Sequence, residues 1–246
     1  MIDIEYRFIP VNPYTRPGKV RSFTRYSVWH YTGNPGASAD GHYTYFGFTL
    51  PGMNAETERA YSAGEITKQE RDQRLRYASA NVFIDKTKIL VIIPLDEESW
   101  HASQANPYSI GIELCIEEDG SFHPETVRNA VEFGKWLSAE WGLKTCDYLR
   151  HFDVTGKRCP LPWLDDVAPG AWESFKKAVD NTTDQEEETV NLTTEQWGAL
   201  AASLSKAYQC GLLGDYRFVE KAYNGTLTRS ELDVANNVIL VNRSTS

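Results

Sequence analysis

The sequence lacks the features that mark several large classes of protein. Its 246 residues include only four cysteines, too few for a disulfide framework, which indicates synthesis in a reducing compartment. No apolar run approaches the roughly 20 residues that cross a bilayer, so membrane insertion is not expected. The first 21 residues show no secretory signal. With 25 basic and 34 acidic residues, the net charge of −9 argues against a nucleic-acid binder with a broad basic face.

The acidic excess is concentrated in residues 180–189, which carry five acids, no base and no large apolar side chain. Such a stretch cannot bury enough surface to offset the entropy of ordering, so it is typical of a solvated linker. We therefore predict a domain over residues 1–179, an acidic linker over 180–189 and a small helical module over 190–246. A plain acidic surface loop is the alternative interpretation of residues 180–189.

Short apolar runs in the first part predict strands. Residues 26–30 form one such run, and residues 89–94 form a nearly continuous one that is typical of a strand buried on both faces. Along residues 109–116, isoleucine and leucine alternate with smaller or polar residues. Because strand side chains alternate between faces, Glu113 and Cys115 are expected on the face opposite the isoleucines.

Helical stretches lie between these strands. From residue 124, apolar side chains recur at helical spacing, at Val127, Val131, Gly134, Leu137 and Trp141. Residues 54–77 are charged and only lightly apolar, which predicts an exposed helical insertion. The whole insertion, over residues 40–76, is expected either to cover the groove and select substrate or to be decoration. Strands separated by helices predict an α/β fold with a central mixed β-sheet flanked by helices.

Two of the five histidines and one cysteine have positions that suit a metal site. His30 ends the first predicted strand, His151 follows a short strand, and Cys159 lies eight residues further along a loop. Two imidazoles and a thiolate suit Zn²⁺ with a fourth position open to water. From spacing alone the signal is weak, since a histidine at a strand end is more often a satisfied polar side chain.

Four motifs then occur in order along the chain: WHYTGNP at 29–35, SWHA at 99–102, SIGIE at 109–113 and HFDVTGKRCP at 151–160. Together they resemble the zinc-dependent N-acetylmuramoyl-L-alanine amidases of the type-2 amidase family, which includes bacteriophage endolysins and peptidoglycan recognition proteins. The resemblance covers roughly residues 10–180, and four ordered motifs are far more specific than one.

The resemblance implies a role for each matching residue. His30, His151 and Cys159 match the family's zinc ligands. Lys157 matches a lysine that faces the developing oxyanion, and Glu113 matches a glutamate used as general base. The alternatives are that Glu113 is an ordinary residue of an edge strand and Lys157 an ordinary loop lysine.

His101 belongs to the family's Trp-His pair beside the substrate groove, and we expect it to bind substrate or to shape the groove. Asn81 stands where the family often has a histidine, and it is the second candidate for substrate binding. His42 and His123 match no motif and are expected at the surface. The cysteines outside the metal set, Cys115, Cys146 and Cys210, are expected to pack as small hydrophobes.

The activity implied by the resemblance is that of an endolysin. Such an enzyme hydrolyses the amide between N-acetylmuramic acid and L-alanine in peptidoglycan by zinc-activated water. We expect it in the host cytoplasm without a signal peptide, acting on a Gram-positive wall after the membrane is permeabilised. The alternatives are a non-catalytic peptidoglycan-binding protein and a cytoplasmic amidase that recycles muropeptides.

The small module over residues 190–246 carries two capping-box signals, at residues 193–196 and 228–231, each before an apolar helical face. Short helices around a small core follow from this pattern. By analogy with endolysins the module is expected to bind the cell wall; the alternative is an appendage that docks on the amidase or forms oligomers. Among its aromatic residues, Trp197 is expected in the core.

Overall fold

The computed structural model describes residues 3–180, 192–213 and 216–227, with positions 232, 235, 236 and 239. It consists of two compact units, Met1–Thr182 and Thr183–Ser246. The division falls inside the segment predicted as a linker. Residues 181–189 of that segment lie outside the described residues, so the solvated linker stays a prediction.

The first unit alternates strands and helices as the apolar pattern predicts. The described strands are β1 (Ile4–Tyr6), β2 (Tyr26–Tyr31), β3 (Val82–Ile84), β4 (Ile89–Val91), β5 (Ser109–Leu114) and β6 (Tyr148–Arg150). The described α-helices are α1 (Ala39–Thr44), α2 (Leu50–Ser62), α3 (Lys68–Arg74), α4 (Pro124–Trp141), α5 (His151–Thr155) and α6 (Ala171–Asp180). A π-helical turn joins α1 to α2, and 3₁₀ turns precede β5 and β6.

The six strands form one sheet in the order β1-β4-β3-β5-β2-β6. β3 and β4 are antiparallel, and the other neighbouring pairs are parallel. The sheet is therefore mixed and flanked by helices, as predicted. β2 and β5 lie in its interior, where pairing on both sides fixes their register.

The larger hydrophobic core lies between one face of the sheet and helices α4 and α6. Ile110, Ile112 and Leu114 of β5 are fully buried on this face, as their alternation predicts. α4 and α6 pack closely because Gly134 has no side chain: a Cβ there would lie 2.7 Å from Val179. The Tyr148 hydroxyl donates a hydrogen bond of 2.6 Å to the Gly134 carbonyl.

The buried side of α4 differs in part from the predicted one. Gly134 and Leu137 are buried as expected, but the other residues buried on this helix are Thr126, Ala130 and Phe133. The remaining members of the predicted face, Val127, Val131 and Trp141, are only partly buried against the core. Apolar residues occupy more than one stripe of the helix, and contacts with the sheet and α6 decide which stripe is buried.

The insertion is helical and largely exposed, as predicted. Its end is closed by Asn54, whose side chain donates to the Arg76 carbonyl at 2.7 Å and accepts from the Arg76 amide at 3.1 Å. α3 begins at a capping box between Thr67 and Glu70.

The surface position predicted for His42 is wrong. Its ring stacks on Phe83 with centroids 5.0 Å apart, and burial lowers its pKa to about 4. His123 is partly buried and caps α4, where its Nδ1 accepts a hydrogen bond of 3.1 Å from the Glu125 amide. The burial of His42 depends on where β3 lies, whereas the His123 cap is a local contact with a residue two positions along the chain.

All four cysteines are free thiols. Cys115 is buried, as expected of a small hydrophobe. Cys146 and Cys210 are exposed, so the same expectation was wrong for them. Cys146 lies within the 3₁₀ turn before β6 and Cys210 follows the end of α7, and the local sequence does not determine burial at either position.

In the second unit, α7 (Thr194–Gln209) begins at the predicted capping box of Thr193 and Gln196, and α8 (Arg217–Tyr223) packs against it. Trp197 is partly buried against the small core, as expected. The capping box predicted at 228–231 lies outside the described residues. Among the described helices of both units, none has the length and apolarity needed to cross a membrane.

Candidate metal centre and active site

His30 and Glu113 are neighbours because of the pairing between two interior strands. β2 and β5 run parallel with the Cα of His30 opposite that of Glu113. Since residues opposite one another on parallel strands point to the same face, both side chains project from the sheet away from the larger core. His30 is buried, and it lies near the carboxyl end of its strand.

His151 and Cys159 reach the same place from the edge strand. β6 pairs with β2 and ends at Arg150, so His151 follows directly where α5 begins. The chain turns back at Gly156, whose φ of 78° favours glycine, and returns to Cys159. The Phe152 amide donates a hydrogen bond of 2.8 Å to the Cys159 carbonyl, which closes this loop.

The three side chains form a cluster whose donor atoms lie within 4.8 Å of one another. His30 Nδ1 is 3.7 Å from Cys159 Sγ, close to the separation of about 3.5 Å that tetrahedral zinc bonds to nitrogen and sulfur imply. Nδ1 of His151 is buried and has no hydrogen-bond partner, as expected of a nitrogen reserved for a metal. The donor set and its spacing therefore fit Zn²⁺.

Burial sets the protonation of the metal-free cluster. It lowers the pKa of His30 well below its ordinary value and that of His151 to about 4, so both rings are neutral near pH 7. It raises the pKa of the Cys159 thiol to about 12. Metal binding near neutral pH would therefore displace a proton from Cys159, whereas each neutral histidine can coordinate through its unprotonated nitrogen without losing a proton.

Glu113 and Lys157 supply the charged groups beside this cluster. Oε2 of Glu113 is buried and has no hydrogen-bond partner. This burial raises the pKa of Glu113 well above its ordinary value, and the positive charge of Lys157 opposes that rise. Lys157 itself is exposed on the loop that leads to Cys159. The arrangement offers a proton acceptor on the sheet and a cation on the loop.

His101 lies behind His30, and both of its ring nitrogens are engaged. Its Nδ1 is 3.1 Å from His30 Nε2, and its Nε2 is 3.2 Å from Ser109 Oγ. A hydrogen bond from this ring to substrate would require one of these contacts to break. The geometry supports contact with a metal ligand more directly than the predicted contact with substrate.

Asn81 is fully buried and its amide is saturated by protein groups. Its Oδ1 accepts from Ser99 Oγ at 2.8 Å and from the Gly111 amide at 3.0 Å. Its Nδ2 donates to the carbonyls of Pro94 and Glu97. Asn81 therefore ties loops to the sheet, and the predicted contact with substrate would require one of these hydrogen bonds to break.

Two residues around His101 were missed as contributors to the site. Ser109 contacts its ring, and a Cβ at Gly111 would lie 2.6 Å from its Cγ. The alternation along β5 places both residues on the face of Glu113, which was a usable signal. The alternation along β5 does not show that His101 packs against these two residues, because His101 lies on a separate loop before the 3₁₀ turn.

We expect zinc affinity to rise with pH because the Cys159 thiol must lose its proton. With one proton released per ion, the apparent association constant should rise about tenfold per pH unit between about pH 6.5 and 8.5. Competition with a chromophoric chelator at several pH values measures this slope. Cys146→Ser, which alters an exposed thiol, should keep the slope. A Cys159→Ser variant with the same slope would contradict the assignment.

Known proteins share both the sequence and the fold of the first unit. Residues 20–162 match the family model described as N-acetylmuramoyl-L-alanine amidase. The N-acetylmuramoyl-L-alanine amidase BlyA of Bacillus subtilis (strain 168) is 38% identical over 178 residues, which cover 64% of this chain and 42% of BlyA. CwlL of Bacillus licheniformis, also an N-acetylmuramoyl-L-alanine amidase, is 34% identical over 226 residues, which cover 87% of this chain and 56% of CwlL.

Among solved structures, the catalytic domain of XlyA is 30% identical, with a TM-score of 0.55 over 72% of this chain and 99% of that domain. PlyL has 19% identity and a TM-score of 0.52 over 72% of this chain and 97% of its own, a likeness that concerns the fold alone. The chain spans about half the length of the curated relatives it matches. The family model covers more than half of the chain and includes His30, Glu113, His151 and Cys159, so the chain belongs to the N-acetylmuramoyl-L-alanine amidase family.

Proposed function

We propose that this chain hydrolyses the amide bond between N-acetylmuramic acid and L-alanine in bacterial peptidoglycan. The observation that carries the proposal is the cluster of His30, His151 and Cys159 together with Glu113, whose Oε2 is buried and has no hydrogen-bond partner. The relatives BlyA and CwlL are named N-acetylmuramoyl-L-alanine amidases, which supports this amide as the bond that is cleaved. The cluster gives a means of cleaving it, since two imidazoles and a thiolate suit a catalytic zinc ion.

His30, His151 and Cys159 would hold the ion, and their three donors leave a position for another ligand. Bound Zn²⁺ polarises a carbonyl and lowers the pKa of water in its coordination shell to about 7. The Cys159 thiolate reduces the net charge of such a centre. The burial of both histidine rings keeps them neutral and able to coordinate near pH 7.

Glu113 acts as the general base and then as the general acid. Its carboxylate takes a proton from the attacking water and delivers it to the amide nitrogen as that nitrogen leaves. The structural support is its place opposite His30 and the absence of a hydrogen-bond partner at its buried Oε2. Burial makes Glu113 a stronger base than an exposed glutamate, which suits proton transfer near neutral pH.

Lys157 stabilises the negative charge that develops on the carbonyl oxygen. It lies two residues before Cys159 on the same loop, and its charge acts on both Glu113 and His30. A fixed cation near the reacting carbonyl stabilises the tetrahedral state more than the planar ground state.

The biological setting of the proposal is that of an endolysin. Such an enzyme accumulates in the host cytoplasm and reaches the peptidoglycan after the membrane is permeabilised. The relatives from Bacillus favour a Gram-positive wall as the substrate. With a net charge of −9, binding to an anionic wall would depend on shape and specific sugar contacts rather than on bulk attraction.

The second unit is proposed to bind that wall. Three tyrosines are exposed on or beside its helices, Tyr208, Tyr216 and Tyr223. The rings of Tyr208 and Tyr216 meet edge to face with centroids 5.1 Å apart. Exposed aromatic rings next to a formed core suit stacking on sugars, whereas Trp197 packs on the core.

The activity is tested by identifying the chemical groups that the protein releases from peptidoglycan. Purified Gram-positive walls treated with the protein should gain free amino groups on alanine and no new reducing sugar. A chelator should abolish the release and added zinc should restore it. New reducing sugar would indicate a glycosidase, and binding without any cleavage would leave a peptidoglycan-binding protein.

Replacing the proposed base should abolish turnover and leave the metal site intact. We expect Glu113→Gln to lower kcat by about 10²–10⁴-fold, because the amide cannot take the proton. Zinc affinity and melting temperature should remain near those of the parent protein. Glu117→Gln is the matched control, since Glu117 is an acid four residues away whose partner is the surface Lys86. Equal rates for the two variants would remove Glu113 from the mechanism.

Removing the second unit should separate wall binding from catalysis. A chain ending near residue 182 should lose about tenfold or more of its rate on intact walls, because tethering raises the local concentration of the catalytic unit. Its rate on soluble muropeptide fragments should be unchanged. Equal losses on both substrates would point to a role in stability, and no loss on either would contradict wall binding.

A further inference from the structure

A chain of four groups leads from the metal cluster into the sheet. His30 Nε2 is 3.1 Å from His101 Nδ1, and His101 Nε2 is 3.2 Å from Ser109 Oγ. Ser109 Oγ is 2.7 Å from the Ala105 carbonyl oxygen. Ser109 is fully buried, and the two histidines are at most 9% exposed.

The Ala105 carbonyl oxygen, at the end of this series of hydrogen bonds, determines the direction of each of them. A carbonyl oxygen only accepts, so the Ser109 hydroxyl donates its single proton to Ala105. Ser109 Oγ then accepts from His101, whose Nε2 carries the proton. In the neutral ring Nδ1 is consequently the acceptor, and it receives the proton of His30 Nε2.

The same logic settles the tautomer of His30. A neutral imidazole that carries its proton on Nε2 has its lone pair on Nδ1. Nδ1 is the nitrogen of His30 that lies 3.7 Å from Cys159 Sγ, inside the metal cluster. We propose that His101 is a positioning residue that, with Ser109 and Ala105, holds His30 in the tautomer and orientation required for coordination through Nδ1.

The surroundings of His101 are built for this position. Gly111 lies under the ring, where a Cβ would be 2.6 Å from His101 Cγ. Asn106 Oδ1 accepts from the His101 amide at 3.1 Å and from the Ala102 amide at 2.7 Å, which fixes the backbone on either side of the ring. A residue that only lined the groove would require neither a glycine beneath its ring nor the two hydrogen bonds between Asn106 and the backbone.

The inference deepens the proposed function and rests on its zinc site, so its test measures metal binding rather than turnover. Asparagine and leucine are close in shape, but only asparagine offers an oxygen near the position of His101 Nδ1. We expect His101→Leu to raise the zinc Kd about 10–100-fold, whereas His101→Asn should stay within about threefold of the parent value. Competition with a chromophoric chelator measures the Kd, and His123→Asn, which keeps a capping side chain at the start of α4 and changes no member of the cluster, is the control for loss of a histidine.

Equal weakening by the two His101 variants would overturn the proposal, because it would show that the acceptor atom does not matter. Histidine ¹⁵N NMR of the unmodified, zinc-loaded protein gives a second test that is independent of folding in the variants. The expected spectrum has a protonated Nε2 and a metal-bound Nδ1 on His30. The opposite assignment would overturn the relay with the zinc site still standing. A parent protein that binds no zinc would overturn the site and the relay together.

Discussion

The parallel pairing of β2 with β5 is the constraint on which the site depends. It places His30 opposite Glu113 in the middle of the sheet, where both strands have neighbours on each side. A slip of one residue would turn Glu113 toward the core and Ile112 or Leu114 toward the site. The apolar core under β5 resists that slip, since three fully buried side chains would have to leave it. Hydrophobic burial on one face thus fixes the polar geometry on the other.

The charge balance of the site follows from the same burial. Without metal, burial favours the uncharged forms of Cys159 and Glu113, and Lys157 is the cation that acts on both. Two acidic groups held in a poorly solvated place favour a divalent cation, because the ion offsets the charge that each group acquires on losing its proton. The histidines add coordination and no charge. In the proposed zinc site, Cys159 and Glu113 would supply negative charge, and His30 and His151 would coordinate as neutral rings.

Much of this could be predicted from local patterns. Alternation along residues 109–116 gave the face of Glu113, and the ends of apolar runs located His30 and His151. The mixed sheet, the helical insertion and the first capping box of the small module also followed from periodicity and caps. In each case the information lies within a few residues of the feature.

The remainder depends on contacts between distant segments. His42 is buried because the π-helical turn and β3 bring Phe46 and Phe83 against it. The sequence around His42 contains no pattern that predicts these contacts. The saturated amide of Asn81 depends on residues 13 to 30 positions away, in a loop and in β5. The motif at residues 99–102 points to His101, but the contacts of its ring with His30 and Ser109 are set by the fold. Side-chain roles of this kind require the fold.

The loop that carries His151 and Cys159 has a consequence for how the ion is captured. The Phe152 amide and the Cys159 carbonyl join its two ends, and Gly156 makes the turn between them. The fold therefore holds His151 and Cys159 on one closed loop, while the interior of the sheet holds His30. The conformational entropy of gathering these three side chains is lost when the chain folds. For the proposed zinc site, this preorganisation means that the ion can bind after the chain has folded.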